Sequence, residues 1–421
     1  QEVVMGIQSA MFSGVSGLNT NSQAMSVIGN NLANTNTLGF KGSRSVFSDL
    51  LSSNVFGSGG NSQVGRGVGL STVDNIFSQG TFETTSSDTD VAVEGDGFFI
   101  LKETGNQTAY YSRAGAFRFD KSGYLVNPEG LRVQGKQFDP VNNKTLLPAD
   151  PTDIQVANVG LIEANPTDEL TFNTNLAETS PLTSGTITPG DKTTYNYSGS
   201  SPIYDSLGES HLLTVYWQHT AANTWEGAYS IDGSTTATAF SHTSTPGLLN
   251  FDTAGKLSSP VSVPTGTISW GNGASDSVIN VNFNCTQFDS DSIVIGTEQN
   301  GYASGELTNV AINGEGIVVA SYSNGRQINV AQLVLAKFQN PGGLQLAGSN
   351  RYIAPADVGT IRVGLPGPEL GKVFTNSLEQ SNVDMGQEFV KMITTQRGFS
   401  ANSKIITTVD EMLSELINLK R

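Results

Sequence analysis

Apolar residues recur every seven positions near both ends of this chain and every second position through much of its middle. Near the start Met11, Leu18, Met25 and Leu32 form a row, Val15 and Ile28 join the same stripe, and Gly, Ser and Asn fill much of the remainder. Such a row predicts a helix with one narrow apolar seam. At the far end Met385, Met392, Phe399, Ile406 and Leu413 repeat the spacing, with Val409 and Leu416 three positions beyond the last two. Asp384, with Gln387 three residues later, predicts the capped start of this second helix, because a side-chain oxygen there accepts a bond from a first-turn amide. A lone helix of either kind leaves its seam in water. The two seams therefore pair with each other as a coiled coil or pack onto the sides of a β domain; their narrowness and terminal position favour pairing.

Between the helices the pattern changes. The stretch SSNVFGSGGNSQVGRGVGL (52–70) is rich in Gly and Ser and predicts a mobile or extended connector, with Gly65, Gly67 and Gly69 as hinge positions. Its GRGVG lacks the strand, helix and third glycine of a dinucleotide loop. Strand punctuation follows. VAVEGDGFFIL (91–101) alternates toward a turn at Asp96-Gly97, and residues 115–135 carry two more turn signals, at Ser122-Gly123 and Glu129-Gly130. A second β-rich stretch runs from Pro151 to about Ile295 and holds all three tryptophans; a third spans 301–338. Thr, Ser, Val, Asn and Gly dominate throughout, so the fold class expected is mainly β with terminal α-helices.

Charge and special residues narrow the function. A net charge of -16 over 421 residues, with no Lys/Arg cluster, repels a phosphate backbone and argues against nucleic-acid binding. Cys285 is the single cysteine, which excludes an intramolecular disulfide and a multi-thiolate zinc site from one chain; a small buried side chain is the plain reading. No run of 18 apolar residues offers a membrane span, and the first residues lack the basic start and apolar stretch of a secretory signal. His211, His219 and His242 have no Cys partner, HExxH spacing or nucleophile elbow beside them, so no catalytic or cofactor-binding residue is expected. Asp88, Asp90, Glu94 and Asp96, and separately Asp289 with Asp291, lack the spacing of a calcium loop and read as solvated turn carboxylates, with no metal expected. One rival reading is a secreted carbohydrate-binding adhesin using Trp217, Trp225 and Trp270 as sugar platforms, unless these rings pack inside their own domain.

Residues 11–51, opening MFSGVSGLNTNSQAMSVIGNNLANTNTLGFKG, resemble the N-terminal signature of the bacterial flagellar rod, hook and hook-associated axial proteins. YYSRAGAFRFDKSGYLVNPEGLRVQG (110–135) and residues 376–419, NSLEQSNVDMGQEFVKMITTQRGFSANSKIITTVDEMLSELINL, resemble two further blocks of that family. YDSLGESHLLTVYW (204–217) and residues 305–352 are similar to the inserted region and second core block of its hook members. The resemblance implies nested domains: residues 5–35 with 380–421 as a helical coiled coil, 36–75 with 370–379 as a connecting segment, 76–150 with 297–369 as a β-rich middle domain, and 151–296 as an inserted outer β-rich domain. It identifies Asn30, Asn31, Asn34, Gly39 and Phe40 with the family's turn after the first helix. It further implies a hook subunit that polymerises into a curved, flexible tube carrying torque, with distal-rod or hook-associated proteins as the near alternative. The partners implied are other copies of the chain, the rod, the hook cap, the hook-filament junction proteins and the flagellar export apparatus. The implied location is outside the cell, reached without a cleaved secretory signal.

Overall fold

The strongest apolar runs of the middle region, FFIL (98–101) and LVLAKF (333–338), are buried on both faces because their strands lie side by side in the interior of a sheet. Phe99, Leu101, Leu333 and Leu335 point into one core with Val91, Val133, Ile154 and Val373. Phe98, Ile100, Val334, Ala336 and Phe338 point into another with Tyr111, Leu344, Tyr352 and Val358. These are seen in a computed structural model, which describes the chain apart from residues 1, 51–52, 58–59, 107, 140–144, 157–160, 241–247 and 420–421. It describes no side chains for 2–7, 53–57, 60–64 and 416–419.

The chain divides into two compact units. The first comprises Gln1–Ala157, Asn309–Ala320 and Gln327–Arg421, the second Asn158–Thr308 and Ser321–Arg326. The expected borders of the outer domain, 150/151 and 296/297, thus stand at 157/158 and 308/309, and the chain returns once to the second unit. Ile312 and Val318 explain the return to the first unit: they are apolar and complete its core. The terminal helices and the connecting segment fall in the first unit together with the middle β residues.

In the first unit α1 (Glu2–Ala33) and α2 (Met385–Leu419) flank the β structure in sequence. The cap expected for α2 is present: Gln387 N–H donates to Asp384 Oδ1 at 2.9 Å. The stretch expected to be a mobile or extended connector is a β ribbon. β1 (Ser43–Asp49) and β4 (Val68–Asn75) pair antiparallel from Ser43↔Asn75 to Asp49↔Val68, and β2 (Ser53–Gly57) pairs with β3 (Gly60–Val64) between them. An extended chain that folds back on itself satisfies its own amides, which Gly and Ser do not prevent. The two later turn signals are hairpins with the left-handed glycine they require: Gly123 (φ 77°) joins strands paired Leu125↔Phe119, and Gly130 (φ 86°) strands paired Val126↔Arg132.

The second unit is a sandwich. One sheet orders Ser262–Pro264, Asn280–Phe288, Glu169–Ala177 and Ile293–Gln299; the other is built on Tyr197–Tyr204, Ser210–Ala221 and Thr224–Ile231. Alternate residues of both, among them Leu170, Phe172, Val281, Phe283, Leu213, Val215 and Trp217, meet in one core. Trp217 and Trp225 are completely buried there. Two of the three sugar platforms of the adhesin reading are therefore core side chains, and Trp270 packs partly buried against the same core.

Cys285 lies in that core, and burial pushes its thiol up to about 12. Since the thiolate is the reactive form, the native chain should resist alkylation at pH 8 and take up one equivalent only on unfolding, as followed by mass spectrometry against denaturant.

Candidate assembly surface

The turn after α1 is held by its own asparagines. Asn34 donates its backbone N–H and its Nδ2 to Asn30 O at 3.2 and 2.9 Å, ending the helix, and Thr37 Oγ1 donates to Asn34 Oδ1 at 3.0 Å. Asn31 clamps the chain it leads into: its Oδ1 accepts Ser43 N–H at 2.9 Å and its Nδ2 donates to Ser43 O at 2.7 Å. Gly39 has φ 63°, and a Cβ there would sit 2.7 Å from Ala114 N, so both conformation and space require glycine. Its N–H donates to Glu379 O at 2.7 Å, and Phe40 beside it is buried.

Beneath this turn is an ionic cluster that no periodicity announces. Lys41 Nζ lies 2.6 Å from Glu379 Oε1, both side chains fully buried, and also donates to Ser78 O at 2.8 Å. Arg113 Nη1 lies 3.5 Å from Glu379 Oε2, its guanidinium donates to Val93 O and Gly95 O, and it stacks 4.7 Å from the Phe98 ring centre. Gly80 N–H gives Glu379 a further bond at 2.9 Å. Burial pulls the Lys41 and Arg113 pKa values below their ordinary range, with Glu379 opposing in both cases. Asn382 finishes the joint, accepting Gly42 N–H at 2.8 Å and donating to Ile76 O at 2.7 Å. Segments 39–42, 76–80, 113 and 379–382 are thereby tied at one point.

From this joint α1 and α2 run side by side and antiparallel. Asn31 Nδ2 reaches Glu388 Oε2 at 3.2 Å, Asn21 faces Gly398, Gly17 faces Asn402, and Gly14 faces Ile406. The contact is closest at the glycines: a Cβ on Gly17 would lie 2.6 Å from Asn402 Nδ2, and one on Gly14 3.1 Å from Ile406 Cγ1. The expected pairing is present, but the expected seam is rotated. Ile28 and Val409 are buried, and Leu18, Met25, Leu32, Met392, Ile406 and Leu413 half-buried, whereas Met11, Val15, Met385 and Phe399 are exposed. The Leu416 side chain lies outside the described residues. The face of α1 that is buried is Gly14, Gly17, Thr20, Ala24, Ile28 and Asn31. Small side chains let the helices approach, and the polar ones bond along their own helix, as Thr20 Oγ1 does to Ser16 O at 3.0 Å and Asn402 Nδ2 to Gly398 O at 2.9 Å. The displaced apolar residues form open rows: Met11, Phe12 and Val15 on α1, and Met385, Phe389, Val390, Ile393, Phe399, Ile405 and Met412 on α2.

The expected hinge glycines have distinct settings. Gly69 is in β4, paired with Ser48. Gly67 (φ 109°) lies so close to α1 that a Cβ would meet Ser16 Oγ at 2.1 Å, and the neighbouring Val68 N–H donates to that oxygen at 3.2 Å. Gly65 has open space around it. Asp88 takes the amides of Asn309 and Asn376, and Asp96 pairs with Lys337 at 2.9 Å, so these carboxylates are spoken for singly. His219 stacks on Trp225 and its Nδ1 is 2.8 Å from Ser180 O; His242 lies outside the described residues.

Four family models match the chain in order: flagella basal body rod protein at 11–41, the D1 domain of flagellar hook protein FlgE/F/G at 92–164, the D2 domain of flagellar basal body protein FlaE at 171–302, and the C-terminal region of flagellar basal body rod FlgEFG protein at 375–419. The flagellar hook protein FlgE of Borreliella burgdorferi is 34% identical over 448 residues, covering 98% of this chain and 99% of that protein. FlgE of Salmonella typhimurium is 35% identical over 411 residues, covering 96% and 98%. The fold of Helicobacter pylori flagellar hook protein FlgE2 superposes with a TM-score of 0.53 at 15% identity, covering 72% of this chain and 99% of that one.

Removing the carboxylate from the joint would leave two buried cations without their counter-ion. Glu379→Gln should destabilise the first unit by about 3–5 kcal/mol, read as a lower denaturant midpoint, with the second unit's transition unmoved; an unchanged first transition would deny the cluster its role.

Proposed function

Because the chain belongs to the flagellar hook protein family, and is a structural subunit of the hook rather than an enzyme, we propose that the open apolar rows on α1 and α2 are the surfaces through which successive copies join into a tube. The observation that carries this reading is the unpartnered row Phe389, Val390, Ile393 on α2, which the helix pair leaves in water although α1 lies alongside. A contact of one copy's row with a different surface of the next does not close on itself, and so propagates as a helix. The turn motif Asn30, Asn31, Asn34, Gly39 and Phe40 sets the direction in which the pair leaves the joint.

Bending a rotating tube requires each longitudinal row of subunits to shorten and lengthen once per turn. Each unit has its own core, so compliance belongs to connections rather than to the cores. Of the described ribbon glycines Gly65, Gly67 and Gly69, Gly65 alone has open space around it, and we assign the compliance to it. The rod, hook cap, hook-filament junction proteins and export apparatus are proposed as partners, with export past the cell surface needing no cleaved signal.

Replacing Phe389 and Ile393 by Glu leaves the α1-facing residues Glu388, Met392 and Val409 untouched. The double variant should keep the helical circular dichroism of the parent yet form no tubes by electron microscopy where the parent does. Tubes at the parental concentration would remove this row from the assembly. Gly17→Leu should act differently, forcing the helices apart and losing helical signal together with polymer.

A further inference from the structure

The turn joining Tyr197–Tyr204 to Ser210–Ala221 in the second unit gathers side chains whose chemistry the hook reading does not use. Asp205 is fully buried; its Oδ1 accepts the N–H groups of Leu207 and Glu209 at 2.9 and 2.8 Å, which closes the turn and leaves Oδ2 toward His211. His211 is nine-tenths buried, and its Nε2 has no hydrogen-bond partner. It lies 3.6 Å from Asp205 Oδ2, beyond hydrogen-bond reach. The opposite nitrogen, Nδ1, is 2.6 Å from Asp232 Oδ2, and Trp270 stacks on the ring at 4.3 Å. In the neutral ring whose Nδ1–H donates to Asp232, Nε2 would offer its lone pair toward the carboxylates, the arrangement by which an outer carboxylate orients a metal-bound imidazole. Glu209 completes the group: one ligand atom from each of Asp205, Glu209 and His211 lies within 4.8 Å of the others.

We propose that Asp205, Glu209 and His211 bind one divalent transition-metal cation of the zinc type, with Asp232 as the residue that positions the imidazole. One imidazole nitrogen with two carboxylate oxygens is a donor set suited to Zn2+. Two bonds of about 2.1 Å at a tetrahedral angle put their donors about 3.4 Å apart, close to the separation of His211 Nε2 and Asp205 Oδ2. At present Asn272 Nδ2 stands between the carboxylates, 2.6 Å from Asp205 Oδ2 and 2.7 Å from Glu209 Oε2, a neutral donor where two anions converge. It lies on a loop between Gly271 and Gly273, both at positive φ, and swings aside when the cation enters, while the exposed Glu209 closes on the ion. With the imidazole neutral, Asp205, Glu209 and Asp232 surround it with negative charge that a dication would balance. The ion would pin the turn to the strand end at Asp232.

The test is titration of the full chain with Zn2+ after chelator treatment, by calorimetry and thermal unfolding. One site per chain is expected, with the second unit's unfolding temperature raised by Zn2+. Glu209→Gln, an exposed change that leaves the fold intact, should weaken binding at least about tenfold, His211→Gln likewise, and Asp232→Asn about 10- to 100-fold. Asp291→Asn, in an acidic turn elsewhere, should change nothing. Ni2+ should quench fluorescence in the parent and lose most of that effect in Trp270→Phe. No saturable binding, or equal binding in Glu209→Gln, would overturn the proposal and leave His211 a plain ion-paired residue of the turn.

Discussion

Everything at the helical end of this molecule depends on one buried carboxylate. Glu379 neutralises Lys41, faces Arg113, and takes the amide of Gly80, so that four stretches of chain distant in sequence meet at a single charged point. A buried ionic group of this kind contributes little net stability compared with an apolar replacement, but it tolerates no other arrangement. Its worth here is direction. Gly39 donates its N–H to the Glu379 carbonyl, and buried Phe40 follows it, so the turn after α1 is fastened to the residue that leads toward α2.

The helix pair illustrates how packing and solvent exposure divide between residue types. The buried face of α1 is mostly Gly, Ala, Thr and Asn, with Ile28 its one large apolar side chain, and so buries little apolar area. Several larger apolar side chains, among them Phe12, Val15, Phe389, Val390 and Ile393, are turned outward instead. A pair built the other way would hold itself together well and have nothing left with which to polymerise. Intramolecular contact supplies alignment, and in the proposed assembly burial of the exposed rows is left to neighbouring copies.

Local chemistry was readable from the residues, and long-range pairing was not. Asp384 announced the start of α2 because a cap needs only three following residues, and Gly123 and Gly130 announced hairpins because a left-handed residue is a local demand. Heptad counting registers Met and Leu but is blind to glycine, so it includes the exposed Met11, Val15, Met385 and Phe399 and passes over Gly14 and Gly17, which lie against the partner helix. Lys41 and Glu379 lie 338 residues apart, and neither neighbourhood hints at the other. The cluster at Asp205, Glu209 and His211 is compact in sequence, yet its meaning rests on Asp232 and Asn272, which only the sandwich brings near. Residues 52–70 read as a mobile or extended connector because Gly and Ser are common to linkers and to paired strands alike.

The antiparallel sense of α1 and α2 has a mechanical consequence. The distal tips of both helices lie at the same end, opposite the charged joint, so a load applied to the tips arrives at the body along two rods at once. Asn31 holds Ser43 by two bonds and Glu388 by a third, while Lys41 grips Glu379 on the returning chain and Asn382 on that chain takes the Gly42 N–H. These bonds bind both helix ends to one short region, so what reaches one helix from the tips is passed to the same anchor as what reaches the other.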